Sequence, residues 1–252
     1  MSRLAKMLAL GAFFIVAIVS WLFDPVRGVP ILAYHMVNEQ QEVYSIDTKD
    51  FDSQMKYLMD NGYTAISLNE YFQAREGRWQ LPKKPIIITF DDGYIDNYQT
   101  ALPILEKYGL KSTVFVISEA VGQPGYMTWG QIKAMQTRNT EIGSHTVSHV
   151  PLAQVDFEEK KRQVSVSKET IERNLGRPIE FLAFPFGSYD TTMPEILKKA
   201  GYRGACTGIT GLNRNAQEAY TLKRINVPRP KYGLWEFKVR LLRANIYSKL
   251  GI

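Results

Sequence analysis

Cysteine is almost absent from this sequence. The single cysteine, Cys206, excludes an internal disulfide, so the fold must be stabilised by its own hydrophobic core. Cys206 lies in the small-residue run 204–208, which is typical of a packed strand and argues against a catalytic thiol. Internal repeats, low-complexity tracts and a second domain boundary are also lacking. With 45% hydrophobic and 22% charged residues in 252, the composition indicates one ordinary globular unit.

Excess positive charge is absent from most of the chain. The net charge is +6, but from Lys223 onward eight lysines and arginines face Glu236 alone, so the rest is close to neutral. A neutral body with a basic tail does not predict nucleic-acid binding. In the tail, apolar residues recur at helical spacing. We expect an amphipathic helix over 232–252, either packed on the domain or touching an anionic membrane; its apolar residues are Trp235, Val239, Leu242 and Ile246.

The N-terminal segment lacks charge over residues 7–23, while Arg3 and Lys6 precede it. Bulky residues stand where a signal-peptide cleavage site needs small ones, which favours an uncleaved anchor over a removed signal peptide. The leading cations favour an N-in orientation. We therefore expect a membrane anchor over 1–24, and an extracytoplasmic, cell-surface or membrane-associated location in a bacterium for the remainder of the chain.

Between these ends, strand patterns alternate with helix patterns. Apolar, β-branched runs at 85–90 and 112–117 predict strands buried on both faces. Helical spacings end at glycines such as Gly109 and Gly176. The alternation recurs about seven or eight times with short connections, which indicates a parallel barrel or a doubly wound sheet. We expect one α/β domain over 25–231.

Two adjacent carboxylates end the first of these runs. Asp91 and Asp92 follow Phe90, and Gly93 would let the backbone turn sharply and bring both side chains to the carboxyl end of the strand. Parallel α/β folds place their chemistry at that end. The alternative is an ordinary strand-to-helix turn in which Asp92 caps a helix.

Two of the three histidines follow another predicted strand, 141–144. His145 and His149 are four residues apart, so on a helical turn they would face the same way and could hold one metal ion. A third ligand must come from elsewhere, and the pair Asp91–Asp92 is the obvious donor. A lone histidine is usually a surface or core residue, but two at ligand spacing favour metal binding.

These motifs resemble those of a known family. Thr89-Phe-Asp-Asp-Gly93 and His145-Thr-Val-Ser-His149 resemble the first two motifs of the polysaccharide deacetylases (NodB homology, carbohydrate esterase family four), and 184–190 resembles the third. The resemblance implies a distorted parallel (β/α)7-type barrel and one divalent metal ion. Zinc is the favoured ion, and cobalt and nickel are alternatives. It also implies removal of acetyl groups from N-acetylated sugars. By position, Asp91 would be the general base, and Asp92, His145 and His149 the metal ligands.

The chain departs from this family pattern in two places. Ala183 stands where many members have an arginine, and the late strand 222–227 lacks the histidine that supplies the general acid. The first strand, 31–35, resembles that late strand moved to the front, as in circularly permuted poly-β-1,6-N-acetylglucosamine deacetylases. His35 is therefore the expected acid, with a structural histidine as the alternative.

Further residues are expected to bind the substrate. A backbone N–H near Phe186 matches the family's oxyanion donor. Five aromatic residues near predicted strand ends could stack on sugars: Tyr34, Tyr94, Tyr126, Trp129 and Tyr189. We thus expect a metal-dependent N-deacetylase that acts on an extracytoplasmic N-acetylglucosamine polymer. The favoured substrate is the poly-β-1,6-linked polymer of biofilm matrix. Peptidoglycan, chitin oligomers and xylan are alternative substrates. A glycosidase using Asp91 and a non-catalytic carbohydrate-binding relative are alternative classes.

Overall fold

The structure, a computed structural model, describes residues 28–251 together with residues 7, 10–14, 16, 20 and 21. The predicted anchor over 1–24 therefore lies largely outside the described residues. Among the residues that are described, no helix is both long and apolar enough to cross a membrane.

Strands and helices alternate along the described chain, as the sequence predicts. The strands are β1 (Ile31–Tyr34), β2 (Met36–Val37), β3 (Ser45–Ile46), β4 (Thr64–Ala65), β5 (Pro85–Phe90), β6 (Ser112–Val116), β7 (Thr140–Ser144), β8 (Phe181–Ala183), β9 (Gly204–Cys206) and β10 (Ile225–Asn226). The α-helices are α1 (Thr48–Asp60), α2 (Leu68–Arg75), α3 (Leu102–Lys107), α4 (Trp129–Gln136), α5 (Phe157–Leu175), α6 (Met193–Lys199) and α7 (Gly233–Leu250). A π-helical turn, Asn97–Ala101, leads into α3, and short 3-10 turns cover Leu152–Gln154 and Pro185–Gly187.

The main sheet is parallel throughout. Its strand order is β10-β1-β5-β6-β7-β8-β9, and β4 pairs with the start of β5. The isolated parallel bridge between Cys206 and Leu222 joins β9 to the segment that leads into β10. The predicted parallel α/β architecture is confirmed, in the form of a half-barrel. All carboxyl ends of its strands therefore meet at one rim, where the polar motifs lie.

The two faces of the sheet pack into two hydrophobic clusters. Ile31, Ile87 and Phe115 belong to the inner cluster, whereas their strand neighbours Leu32 and Ile88 belong to the outer cluster beneath the helices. This is the alternation that a strand buried on both faces requires. Cys206 lies in the inner cluster. Burial raises the pKa of its thiol to about 12, which agrees with a structural role.

The predicted C-terminal helix is α7, but its buried face differs from the prediction. Phe237 and Ala244 are buried, and the Phe237 ring lies 6.1 Å from Tyr57 of α1. Trp235, placed on the apolar stripe by its spacing, is 64% exposed. The helix therefore packs on the domain through a neighbouring stripe, and its contact with a membrane remains a prediction.

Candidate active site

The turn after β5 brings two adjacent carboxylates into one site. Asp91 continues the pairing with β1, because its N–H donates to the Tyr34 carbonyl at 2.9 Å. Asp92 and Gly93 then adopt left-handed backbone conformations, with φ of 74° and 82°. On a regular strand the two carboxylates would point to opposite faces. The predicted turn at Gly93 is thus confirmed, and it begins one residue earlier, at Asp92.

The histidine pair lies on a loop and not on the helical turn that the sequence predicted. After β7, Thr146 and His149 take left-handed conformations, with φ of 70° and 58°. Gln163 of α5 holds this loop, since its Oε1 accepts from the N–H groups of Val147 at 2.9 Å and Ser148 at 3.0 Å. The i, i+4 spacing therefore brings the imidazoles together through loop geometry, and Gln163 is a supporting residue that the sequence did not reveal.

Backbone strain among the described residues is concentrated at this site. Their non-glycine residues with positive φ are Asp92, Asn139, Thr146, His149 and Phe186. All except Asn139 carry or flank the predicted functional groups. A left-handed residue with a side chain costs of order 1–3 kcal/mol and persists only where its surroundings impose it. This concentration indicates that the fold sacrifices local stability to aim these groups.

Asp92, His145 and His149 form a group whose geometry could hold a metal ion. Their ligand atoms all lie within 4.8 Å of one another. Asp92 Oδ1 is 3.4 Å from His145 Nε2 and 3.3 Å from His149 Nε2. Bonds of about 2.0–2.1 Å to a tetrahedral ion place two of its ligand atoms about 3.3–3.4 Å apart. The two separations fit such an ion.

The protonation states of these residues also fit a cation. Burial lowers the pKa of His145 to about 3 and also lowers that of His149, so both imidazoles are neutral near pH 7. His145 Nδ1 lies 2.8 Å from the Ala183 carbonyl and must donate to it, which leaves a lone pair on Nε2. That lone pair faces Asp92 Oδ1, a buried oxygen with no hydrogen-bond partner among the described residues. A positive ion between them would satisfy all three groups.

Asp91 is held by an arginine that the sequence did not identify. Arg224, just before β10, donates from Nη1 and Nη2 to the two Asp91 oxygens, each at 2.7 Å, and both side chains are buried. Burial alone would raise the pKa of Asp91, but the guanidinium and nearby imidazoles outweigh it and hold that pKa well below its usual range. Nothing in the late strand segment 222–227 distinguished it, since Lys223 stands directly before Arg224 and Asn226 follows.

Asp92 has the opposite electrostatic environment. Burial raises its pKa to about 6, and the charge interaction with His35 and a hydrogen bond from the Tyr94 hydroxyl only partly oppose this rise. The Tyr94 ring stacks on Tyr126 at 5.1 Å, and Met127 donates to the Gly93 carbonyl at 3.0 Å. The loop 119–127 therefore supports the turn that carries Asp92, and Tyr94 touches the predicted metal ligand.

His35 lies across the site from the histidine pair. Its Nε2 is 4.0 Å from Asp91 Oδ2, and its carbonyl accepts from Asn97 Nδ2 at 2.7 Å. The structure thus brings the residue from the first strand next to the predicted base. Phe186 lies on the other side, where its ring is 4.6 Å from that of His149 and 74% exposed.

The remaining aromatic residues have different surroundings. Tyr189 stacks on Phe184 at 5.2 Å, and Trp129 at the start of α4 packs, half-buried, against the core. Tyr34 is fully buried, and its hydroxyl donates to Gln54 Oε1 at 2.6 Å. A side chain that is fully enclosed by protein cannot stack on a sugar, so the prediction for Tyr34 is wrong.

Comparison with known proteins gives this site a family. A family model described as polysaccharide deacetylase matches residues 79–205, which contain the carboxylates and the histidine pair. The chain is 32% identical over 199 residues to YxkH of Bacillus subtilis (strain 168), which carries the same family description; the match covers 79% of this chain and 71% of YxkH. The chain belongs to the polysaccharide deacetylase family. It is therefore a hydrolase of acetamide bonds, as the sequence motifs predict.

Two other relatives of this polysaccharide deacetylase bear on its fold and substrate. The structure of the deacetylase PplD of Streptococcus pyogenes, in complex with acetate, matches with a TM-score of 0.79 at 28% identity and covers 88% of this chain and 99% of PplD. A poly-β-1,6-N-acetyl-D-glucosamine N-deacetylase of Staphylococcus aureus is 25% identical over 177 residues, or 64% of this chain. The match spans only 60% of the staphylococcal enzyme.

Proposed function

We propose that this polysaccharide deacetylase is a metal-dependent N-deacetylase of an extracytoplasmic N-acetylglucosamine polymer. The observation that supports this most is the buried Asp92 Oδ1, which has no hydrogen-bond partner in the described part of the chain and faces two neutral imidazoles. It lies directly beside Asp91, which is ion-paired. Zinc is the favoured ion, because two histidines and one carboxylate are a ligand set typical of catalytic zinc.

The proposed chemistry divides the work between the neighbouring residues. When bound, a divalent cation would polarise the acetamide carbonyl and lower the pKa of the attacking water. Asp91 would accept the proton of that water, since its low pKa keeps it ionised at neutral pH. His35, 4.0 Å from Asp91, would protonate the departing amine. The left-handed turn at Phe186 would aim its backbone N–H at the developing oxyanion.

The favoured substrate is poly-β-1,6-N-acetyl-D-glucosamine. Two observations support it: the 25% identity to the staphylococcal enzyme named for that polymer, and the position of His35, directly after the first strand and beside the proposed base. The apolar sequence at 7–23 supports an extracytoplasmic location, where such polymers occur. Alkaline phosphatase fused after the last residue would be active on export and inactive if the chain stays in the cytoplasm.

The decisive experiment measures acetate release from a panel of acetylated polymers with metal removed and then restored. Poly-β-1,6-N-acetylglucosamine, peptidoglycan, chitin oligomers and xylan form the panel. We expect release from the β-1,6-linked polymer, its loss with chelator and its return with zinc. Preference for another polymer would reassign the substrate, and full activity after complete metal removal would contradict the metal-dependent mechanism.

Two variants separate the base from the metal ligands. Asp91→Asn should retain metal and lose most activity, because it removes the proton acceptor but no ligand. His149→Ala should lose both. Full turnover by Asp91→Asn with bound metal would refute the assignment of the base.

A further inference from the structure

Tyr44 is an aromatic residue beside the site that belongs to none of the sequence motifs. It lies on the loop 38–44, which joins β2 to β3. The strand β2 directly follows His35 and pairs with β3, so the end of the loop lies close to His35. Its ring centroid is 4.6 Å from that of His35, with 33° between the ring planes, yet the residue is 51% exposed. One face of the ring therefore packs on His35 while much of the ring remains open to solvent.

Exposure alone does not indicate a function, since single exposed aromatic residues are common. The backbone around Tyr44, however, is held in place. The Tyr44 carbonyl accepts from the Met36 N–H at 3.1 Å, and the Arg229 N–H donates to the Val43 carbonyl at 2.8 Å. Arg229 also donates from Nη1 to the Gln40 carbonyl at 2.6 Å and from Nη2 to Asp47 Oδ1 at 2.6 Å. One arginine thus fixes both sides of the loop.

A second anchor holds the start of the same loop. Asn38 Nδ2 donates to Asp96 Oδ2 at 2.6 Å, and Asn38 Oδ1 accepts from Ser45 Oγ at 2.6 Å. The loop is therefore presented in a fixed conformation, and its exposed ring is prearranged. Prearranged aromatic rings bind ligands well, because little conformational entropy is lost on binding.

The position of Tyr44 mirrors that of Phe186. Phe186 packs on His149 at the same centroid distance, 4.6 Å, and is also largely exposed. His35 contacts Asp91 and His149 contacts Asp92. The contacts therefore form one series, in which Tyr44 and His35 lie on the Asp91 side and His149 and Phe186 lie on the Asp92 side. The two exposed aromatic rings are its two ends.

We propose that Tyr44 is a sugar-binding residue, and that its ring and that of Phe186 hold the polymer from both sides of the acetamide being cleaved. This inference rests on the proposed function. Pyranose rings present a face of C–H groups that packs on aromatic rings, whereas the sugar hydroxyls stay hydrated. Tyr44 contributes affinity for the sugar chain and is not a catalytic residue.

The test uses the full-length protein with zinc and soluble β-1,6-linked N-acetylglucosamine oligomers. Tyr44→Ala should raise KM about tenfold, the change that 1.4 kcal/mol of lost contact free energy produces. Its kcat should fall much less. Tyr44→Phe keeps the ring and should restore the wild-type KM. Val43→Ala, an exposed neighbour on the same loop, is the matched control and should leave both constants unchanged.

A second variant tests the anchoring of the loop. Arg229→Ala keeps the Tyr44 side chain but removes the guanidinium hydrogen bonds to Gln40 and Asp47 that help to hold the loop. We expect it to raise KM in the same direction. An unchanged KM in Tyr44→Ala would overturn the inference while leaving the proposed function intact. So would a fall in kcat alone, since that would show that Tyr44 acts only by positioning His35. Absence of acetate release from every oligomer by the wild-type protein would overturn the proposed function and this inference together.

Discussion

Replacing Arg224 with methionine removes the buried ion pair that holds Asp91. The two nitrogen–oxygen distances are 2.7 Å, and the side chains are only 3% and 4% exposed. Removing one partner of a buried pair costs about 3–5 kcal/mol, because the other charge stays buried and unpaired. In a domain of this size 1 kcal/mol shifts Tm by about 2–4 °C, so we expect Tm to fall by about 6–20 °C.

Differential scanning calorimetry of the metal-free protein measures this change without a contribution from metal binding. Asp91→Asn/Arg224→Met removes both charges and should be more stable than Arg224→Met alone, since no unpaired charge remains. Arg224→Lys, which keeps the charge but not the two-pronged contact, should lie between wild type and Arg224→Met. A Tm for Arg224→Met within about 2 °C of wild type would refute the reasoning.

The same substitution should change the pH dependence of activity. Without the guanidinium, burial loses its main opposing charge, and the pKa of Asp91 rises. The base is then protonated at higher pH than in the wild type. We expect the acidic limb of the kcat/KM profile to move to higher pH in Arg224→Met, and an unmoved limb would show that Arg224 does not control this carboxyl.

The pair also predicts how stability varies with pH. The folded-state pKa of Asp91 lies below the ordinary value of 3.8, so its stabilisation is present above that pH and is lost as the pH falls below it. Urea midpoints of the wild-type protein should therefore decrease at acidic pH more steeply than those of Asp91→Asn/Arg224→Met. Parallel curves for the two proteins would contradict this account.

Three further substitutions test the supporting structure. In Gly187→Ala the new Cβ would lie 2.6 Å from a backbone nitrogen at a φ of 65°, so kinetics should show a lower kcat, through displacement of Phe186, with metal content unchanged. Gln163→Leu removes the acceptor for two loop N–H groups; metal affinity measured by chelator competition should fall about 10–100-fold. Tyr34→Phe should cost about 1 kcal/mol in chemical denaturation and leave KM unchanged, because its hydroxyl bonds only within the core.

Local sequence patterns predicted the strand ends and the groups that follow them. The run before Asp91 and the spacing of His145 and His149 depend on residues close in sequence, and the parallel topology brings these groups to one rim. Tyr34 was misplaced because a strand has two faces. Tyr34 is two residues after Leu32, so both side chains point to the outer face of the sheet, beneath the helices. Which face of the strand is the outer one depends on the direction in which the whole sheet curves.

Arg224 could not be placed from the sequence for a related reason. It lies 133 residues from Asp91, and the two meet only because β10 pairs with β1, and β1 with β5. The segment also carries Lys223 and Asn226, so the sequence indicates neither that Arg224 is buried nor which residue it pairs with. Where the family pattern placed an arginine next to Phe184, this chain has Ala183, and the structure supplies a guanidinium to Asp91 from another strand.

The different roles proposed for Asp91 and Asp92 follow from one backbone torsion. If Asp92 were an ordinary strand residue, its carboxylate would point away from that of Asp91. Its left-handed conformation turns it toward two neutral imidazoles, where burial raises its pKa, while Asp91 meets a cation that lowers its pKa. Two identical side chains thus become one carboxylate that is placed to bind the proposed metal ion and one that is ion-paired with Arg224. The second lies outside the candidate metal group, which is the division of roles that the proposed mechanism requires.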